Sequence, residues 1–369
     1  MRMEIRGRRI AHCVSIGVAA VLLGGAAGAQ PDLSGQTVEW FIPFSETGGS
    51  DTWARFNAPY LQRHLPGNPQ ILIVNEPGGG STRGANQFAQ RRQTDGLAIL
   101  GTSGSTQFPY LLGDLRVRYD YDDWAPVMIA PTGGAVYVSP ELGIRDWRDV
   151  AALRDRTLIF ASQGPTSLDL VPMLAFKLLG FDVRYVFGYT GRGDGLVAMQ
   201  RDEVNIDYQT TPSYLRNVAP MVAAGEAVPV MSWGVLDAEG RVQRDPTFPD
   251  LPTVEEVHQL IHGAPPQGPL YDAYHVFSTA GFAAQKMVVV PKDTPEEIQQ
   301  MWRETWQRVF DDPEYQAERQ QVLGAYEQVT GEAARKLYEA GTNIAPEVLA
   351  HVLQMLADDY SVRLQDPDR

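Results

Sequence analysis

The chain has 369 residues, 31 lysines and arginines against 45 aspartates and glutamates, and one cysteine. A net charge of −14 argues against nucleic acid and against anionic membranes as partners, and one cysteine cannot found a disulfide framework. The length suits two domains of ordinary size, each with its own core.

The first 29 residues read as a leader rather than as fold. Arg2, Arg6, Arg8 and Arg9 form a basic start, residues 14–25 are a short apolar stretch, and Ala27-Gly28-Ala29 is an A-x-A signal, so cleavage is expected between Ala29 and Gln30. The stretch falls short of the about 20 apolar residues that an anchor needs. Cys13 precedes it, the wrong side for a lipoprotein cysteine. Removing the leader takes four arginines and one glutamate, leaving 27 basic against 44 acidic residues, a charge of −17. The mature chain then has no disulfide, no thiolate metal site and no cysteine nucleophile. Its acidic surface disfavours long-range steering of anions, so an anionic ligand must be caught by local donors.

The elements follow in chain order. The apolar run Val38-Glu39-Trp40-Phe41-Ile42 predicts a buried strand and residues 52–61 a helix. Between them lies Pro43-Phe44-Ser45-Glu46-Thr47-Gly48-Gly49-Ser50-Asp51. A strand, a glycine loop and a helix start put free backbone N–H groups at a positive helix end, which suits small anions and polar groups. Residues 70–74 predict a second strand, ended by Asn75-Glu76-Pro77-Gly78-Gly79-Gly80-Ser81, with a helix over 82–92. Residues 97–101 predict a third, running into Thr102-Ser103-Gly104. Three such units imply a parallel sheet flanked by helices, with ligands at the carboxyl ends of the strands.

The pattern recurs. A strand over 157–161 leads into Ser162-Gln163-Gly164-Pro165-Thr166-Ser167, then a helix over 168–179 stopped by Gly180. A strand over 182–187 leads into Gly188-Tyr189-Thr190-Gly191-Arg192-Gly193-Asp194, and residues 204–208 form another strand. This is a second α/β domain. Thr294-Pro295-Glu296-Glu297 opens a C-terminal helix and Asp311-Asp312-Pro313-Glu314 the next. Trp302, Trp306 and Phe310 repeat at i, i+4, i+8, the core face of the first of these.

Catalytic and metal chemistries find little support. His258 and His262 share a helix face with Glu255, but without an H-E-x-x-H pattern they read as solvated surface residues. Gly101-Thr102-Ser103-Gly104-Ser105 fails the G-x-S-x-G turn, because Ser105 stands where its second glycine belongs. No histidine lies in a glycine loop, and no G-x-x-x-x-G-K-[ST] phosphate loop occurs. The residues argue for binding rather than catalysis, with no metal and no cofactor.

The first loop resembles the "PFxxGGxxD" signature of the solute-binding proteins of tripartite tricarboxylate transporters, the TctC or Bug family. Asn75-Glu76-Pro77-Gly78-Gly79-Gly80 is similar to its "NxPGAGG", Leu100-Gly101-Thr102-Ser103-Gly104 to "LGTSG", and Phe160-Ala161-Ser162-Gln163-Gly164-Pro165-Thr166-Ser167 to "YASAGxGS". Tyr189-Thr190-Gly191 resembles "YKGG", Asp250-Leu251-Pro252-Thr253 resembles "DVPT", and Val290-Pro291-Lys292-Asp293-Thr294-Pro295 resembles "APKGTP". The shared order of these motifs spans nearly the whole mature chain. The resemblance implies an α/β, two-domain periplasmic binding protein fold, a type II-like flytrap in which each domain is a mixed, mostly parallel sheet flanked by helices. It implies one domain over 33–131 plus 279–369, the other over 132–278, and a ligand cleft between. It implies a periplasmic monomer that captures a small carboxylate, zwitterionic or aromatic-acid solute for the membrane subunits of a tripartite transporter. The alternatives are a ligand-sensing subunit for a membrane histidine kinase and, less favoured, a periplasmic hydrolase. Carried over residue by residue, the binding positions are Phe44, Gly48, Gly49, Ser50 and Asp51 in the first loop and Thr102 and Ser103 in the third. In the other domain they are Ser162, Gly164, Thr166, Ser167 and Tyr189.

Several residues depart from the family pattern. Ser45-Glu46 replaces Ala-Pro, Pro165 lacks an N–H to donate, Leu170 stands where many members have His, and Arg192 and Asp194 replace small residues. Arg83 is an added base, and 236–245 and 258–271 read as insertions. A carboxylate at Glu46 would repel a second ligand carboxylate by about 4 kcal/mol at about 4 Å and an effective dielectric near 20. A lining that mixes Glu46, Asp51 and Arg192 suits a zwitterion or an acid with a polar or cationic far end, and Glu46→Ala is then expected to alter selectivity.

Overall fold

The computed structural model describes residues 31–237 and 240–364, so the leader expected over 1–29 lies outside the described residues. The chain begins with strand β1 (Thr37–Ile42), helix α1 (Gly49–His64), β2 (Gln70–Asn75), α2 (Thr82–Arg91), β3 (Ala98–Thr102), α3 (Gly104–Leu111) and β4 (Trp124–Ala130). It crosses to a second lobe with β5 (Gly134–Val138), β6 (Thr157–Ser162), α4 (Leu170–Leu179), β7 (Asp182–Phe187), α5 (Arg192–Gln200) and β8 (Ile206–Thr210). There follow the one-turn α6 (Thr211–Ser213), α7 (Ala219–Ala224), β9 (Val228–Ser232), the hairpin β10 (Val235–Leu236) and β11 (Val242–Gln243), α8 (Val254–His262) and α9 (Pro269–Phe282). The return is β12 (Lys286–Pro291), α10 (Glu296–Asp311), α11 (Pro313–Leu323), α12 (Gly331–Gly341) and α13 (Pro346–Tyr360).

In the first lobe β1 pairs in parallel with β2 and β3, and β12 slots antiparallel between β3 and β4, giving the order β2-β1-β3-β12-β4. Met287 to Val290 are buried throughout. A strand covered on both faces must be apolar at successive positions, and the run Met287-Val288-Val289-Val290 is. Trp40, Trp53 and Trp306 interlock beneath the sheet, with centroids 5.1 Å apart for Trp40–Trp53 and 6.0 Å for Trp40–Trp306. Trp302 and Trp306 are fully buried, and the stripe continues to Phe310, 5.9 Å from Trp306, as the helical spacing predicts.

The second lobe repeats that order in two pieces. β6 and β7 are a parallel pair, while β5 is antiparallel to both β8 and β9. Asn205 stitches the pieces together. Its backbone N–H donates to Ile159 O (3.1 Å), its Oδ1 accepts the Ile159 N–H (2.7 Å), and its Nδ2 donates to Thr157 O (3.1 Å). The resulting succession β7-β6-β8-β5-β9 mirrors the first lobe, with β5 in the place of β12. Of the segments expected to be insertions, 236–245 contains Leu236 of β10 and the whole of β11, and 258–271 runs from the end of α8 into the start of α9.

The expectation that all of 279–369 returns to the first lobe needs amending at α13. Val352 and Leu356 are fully buried in a core shared with Phe176 and Phe277. Tyr360 sets its edge on Tyr185 and Phe187, at 5.6 and 6.1 Å, and Asp359 pairs with Lys177. The first lobe is already covered by α10 and α12, which pack on β4, so the apolar face of α13 buries itself against α9 instead.

Candidate ligand-binding cleft

The carboxyl ends of the strands bring five loops together between the lobes. β1 ends at Ile42, and the chain turns through Phe44 to start α1 at Gly49. Asp51 holds this turn: its carboxylate accepts the Thr47 N–H (3.1 Å), Arg55 Nε (2.8 Å) and Asn75 Nδ2 (3.1 Å). Ser103 caps α3, its Oγ accepting the Ser105 N–H (3.1 Å), and Thr106 completes a capping box.

Across the gap Asp169 organises the second lobe's loop. It accepts from Ser162 Oγ (3.0 Å), the Gln163 N–H (2.7 Å) and the Tyr208 hydroxyl (2.9 Å). Burial and that carboxylate push the Tyr208 phenol well above its ordinary value. Ser167 Oγ donates to Gly164 O (2.7 Å) and accepts the Asp169 N–H (3.2 Å). Arg192 is the first residue of α5 and turns inward. Its guanidinium pairs with Asp207 and, at 3.4 Å, Asp169, donates to Ala161 O (2.7 Å), and lies over the rings of Phe160 and Tyr208.

The cleft itself is lined by Phe44, Gly48, Gly49, Ser50, Ser103 and Ser105 from the first lobe and by Gln163, Leu168, Arg192 and Thr210 from the second. Gln285 and Lys286 close it where the chain returns. The lobes touch directly. The Leu168 N–H donates to Ser105 Oγ (3.0 Å), Thr47 O accepts from Ser213 Oγ and Asn217 Nδ2 (both 3.3 Å), and Thr166 Oγ1 sits 2.9 Å from both Asp114 and Arg116. Gly49 is glycine because a Cβ there would run into the Thr210 hydroxyl, and one on Gly193 would press on the Gly48 nitrogen at 3.1 Å. The space left is about 20 Å³, room for one water molecule.

Polar atoms without partners gather around that space. Thr210 Oγ1, Gln163 Nε2 and Gln285 Oε1 are buried and make no hydrogen bond. Lys286 is buried at the head of β12, and among the described residues its Nζ donates to Ser50 Oγ alone, at 2.9 Å. Burial pushes its ammonium down to about 7. Among the described residues no three His, Cys, Asp or Glu side chains converge as a metal site would require, and no helix is long and apolar enough to cross a membrane.

Of the expected binding positions, the lining includes Phe44, Gly48, Gly49, Ser50, Ser103 and Arg192. Thr102 is buried behind the cleft, Tyr189 is half-buried outside it, and Asp51, Ser162, Gly164, Thr166 and Ser167 spend their polar groups on loop structure or on the contact between lobes. Of the expected mixed-charge lining, Arg192 is present, paired with Asp169 and Asp207, whereas Glu46 is 74% exposed with Arg55 at 3.8 Å and Asp51 accepts from three donors, on Thr47, Arg55 and Asn75. Sequence reasoning missed Ser105, Gln163, Leu168, Thr210, Gln285 and Lys286. The one available signal was a lone lysine at the mouth of a run of buried apolar residues.

No family model matches the chain. In sequence it is 24% identical over 304 residues to the UPF0065 protein of the TAR-I ttuE-ttuC' intergenic region of Agrobacterium vitis, covering 81% of this chain and 79% of that protein. In structure it is similar to the periplasmic binding protein BugD, with a TM-score of 0.68 and 19% identity over 90% of this chain and 99% of BugD. A Rhodopseudomonas palustris protein solved with adipate gives 0.67 and 20%, over 87% and 98% of the two chains. MatC from R. palustris, solved with bound malate, gives 0.61 and 19%, over 86% and 97%. The fold of this chain is that of the Bug/TctC-type periplasmic solute-binding proteins.

Proposed function

We propose that the chain belongs to the Bug/TctC family and works in the periplasm as a monomeric solute-binding protein. It captures a small carboxylate-bearing solute between its lobes and offers the closed form to the membrane subunits of a tripartite tricarboxylate-type transporter. The observation that carries this reading is the set of unpartnered polar groups that both lobes aim into one cleft. Among the described residues no histidine lines the cleft; in the lining the hydroxyl bonded to a basic group is that of Ser50, 2.9 Å from Lys286 Nζ, and recovery of the stabilising compound unchanged is what separates capture from chemistry at that pair. Malate in one structural neighbour and adipate in another support a carboxylate. Ligand entry requires the lobes to part, because the present space holds one water. The bodies that separate are 33–131 with 279–345, and 132–278 with α13.

A thermal-shift screen of the chain from Gln30 onward tests this, with malate, adipate, aromatic acids, acidic amino acids and neutral amides. A ligand at 100 times its Kd adds about 2.7 kcal/mol, several degrees in melting temperature. A shift confined to carboxylates, with the compound recovered unchanged, supports the reading; turnover of a stabilising compound overturns it. Loss of uptake of that compound on deletion of the gene separates transport from sensing.

A further inference from the structure

Among the described residues the cleft holds one cation, Lys286, with no carboxylate paired to it. Lys286 Nζ has Ser50 Oγ as its hydrogen-bond partner, so two of its three N–H bonds are unused. The charged and titratable groups around it are committed elsewhere. On α1, Asp51 is tied to Arg55, Asn75 and the Thr47 N–H. Tyr326, which shares a small space with Lys286 and Pro212, bonds Asp245 and, at 2.8 Å, Thr211. Across the cleft Arg192 is held by Asp169 and Asp207. β4 offers Ala130 as the strand partner. Thr210, Gln163 and Gln285 add neutral groups to the lining, each with a polar atom that has no partner.

We infer that Lys286 is the charged anchor of the solute, forming an ion pair with a single carboxylate, and that the rest of the solute meets neutral groups and the already paired Arg192. This rests on the solute-capture reading and narrows it. Among the described residues the cleft brings one unmatched positive charge to its ligand, so it takes one carboxylate there; the other charged group in the lining, Arg192, is already held by Asp169 and Asp207. Desolvation makes a lone buried ammonium unstable, and an entering carboxylate relieves that penalty. Binding therefore fixes the proton on Lys286. Above pH 7, where the empty cleft sheds that proton, apparent affinity falls about tenfold per pH unit.

Formate, the smallest carboxylate, is the probe, together with a panel of malate, adipate, benzoate and nicotinate and the uncharged benzamide and nicotinamide. Melting temperature is followed against sodium chloride at equal ionic strength, from pH 6 to 9, for the wild type, Lys286→Met, Lys286→Arg and the exposed control Lys292→Met. The expected result is that formate and at least one panel acid stabilise the wild type and Lys292→Met, most at pH 6. Lys286→Met, melting cooperatively, loses the response by at least a hundredfold in concentration, and Lys286→Arg keeps part of it. A panel acid that stabilises wild type and Lys286→Met alike, with the same pH profile, overturns the anchor and leaves solute capture standing. An amide that binds as well as its acid does the same. Silence of the wild type toward every carboxylate overturns both.

Discussion

Lys286 and Arg192 are both buried cations, and their surroundings give them opposite roles. Arg192 has two carboxylates, a carbonyl and two ring faces; it fastens α5 to the second sheet. Lys286 has a hydroxyl. Its folded value of about 7 lies below that of an unfolded lysine, so between pH 7 and about 10.4 the unfolded chain holds a proton that the folded chain has shed. Stability then rises with pH across that window; the penalty is full below pH 7, shrinks as pH rises, and is gone only above about 10.4. Lys286→Met should flatten this slope and stabilise the ligand-free protein at pH 6, by a few kcal/mol at most, measurable by urea unfolding at several pH values. Glu46→Ala should leave both stability and selectivity unchanged, within about 0.5 kcal/mol, because its exposed side chain has only Arg55 at 3.8 Å; a changed ligand preference in competition assays would return Glu46 to the site. The loops around these residues were legible from glycines at strand ends. The partners of a side chain were not, since Glu46 lies exposed beside Arg55, Asp51 is tied to Thr47, Arg55 and Asn75, and Arg192 is tied to Asp169 and Asp207 from other strands and loops.

At the scale of elements, the two lobes meet through helix starts and glycines. The start of α1 lies so close to the end of β8 that Gly49 has no room for a methyl group beside Thr210. Gly49→Ala should fold, since the collision exists only when the lobes are together, and should weaken solute binding by at least tenfold. Isothermal titration beside a melting curve checks this, and wild-type affinity would mean that closure does not require the contact. Strands and helices were legible because their apolar periods are strong: 38–42, 70–74, 157–161 and 182–187 all appear as strands within a residue or so. The placement of α13 was not legible. An amphipathic pattern says that a helix has a face to bury but not which neighbour has room for it.

Over the whole molecule, the solute-capture reading makes the contacts across the cleft the terms that would balance open against closed forms. Thr166 of the second lobe bonds Asp114, which is itself held by Arg116. Burial opposes the charge on Asp114, and the Arg116 hydrogen bonds outweigh it, so the carboxyl sits below its ordinary value. The latch is therefore complete above the usual carboxylate range and fails as pH falls through that lowered value. Asp114→Ala should shift the ligand-free protein toward the open form, seen as a larger radius of gyration in X-ray scattering at neutral pH, with the difference removed by saturating solute. Identical scattering curves would show that the other contacts suffice.

The crossing of α13 bears on how such a molecule moves. Two neighbouring crossings, at 131–133 and 283–285, are linked by the Thr132 N–H to Phe282 O bond, and on the solute-capture reading the line between them is the hinge axis. The segment 342–345, between α12 on the first lobe and α13 on the second, is a third tether. Two rigid bodies joined at three points can turn only about an axis that the third point shares, unless that tether stretches. If the lobes part as solute capture requires, four residues of slack would act as a stop, limiting the angle through which the jaws part and with it the largest solute that enters.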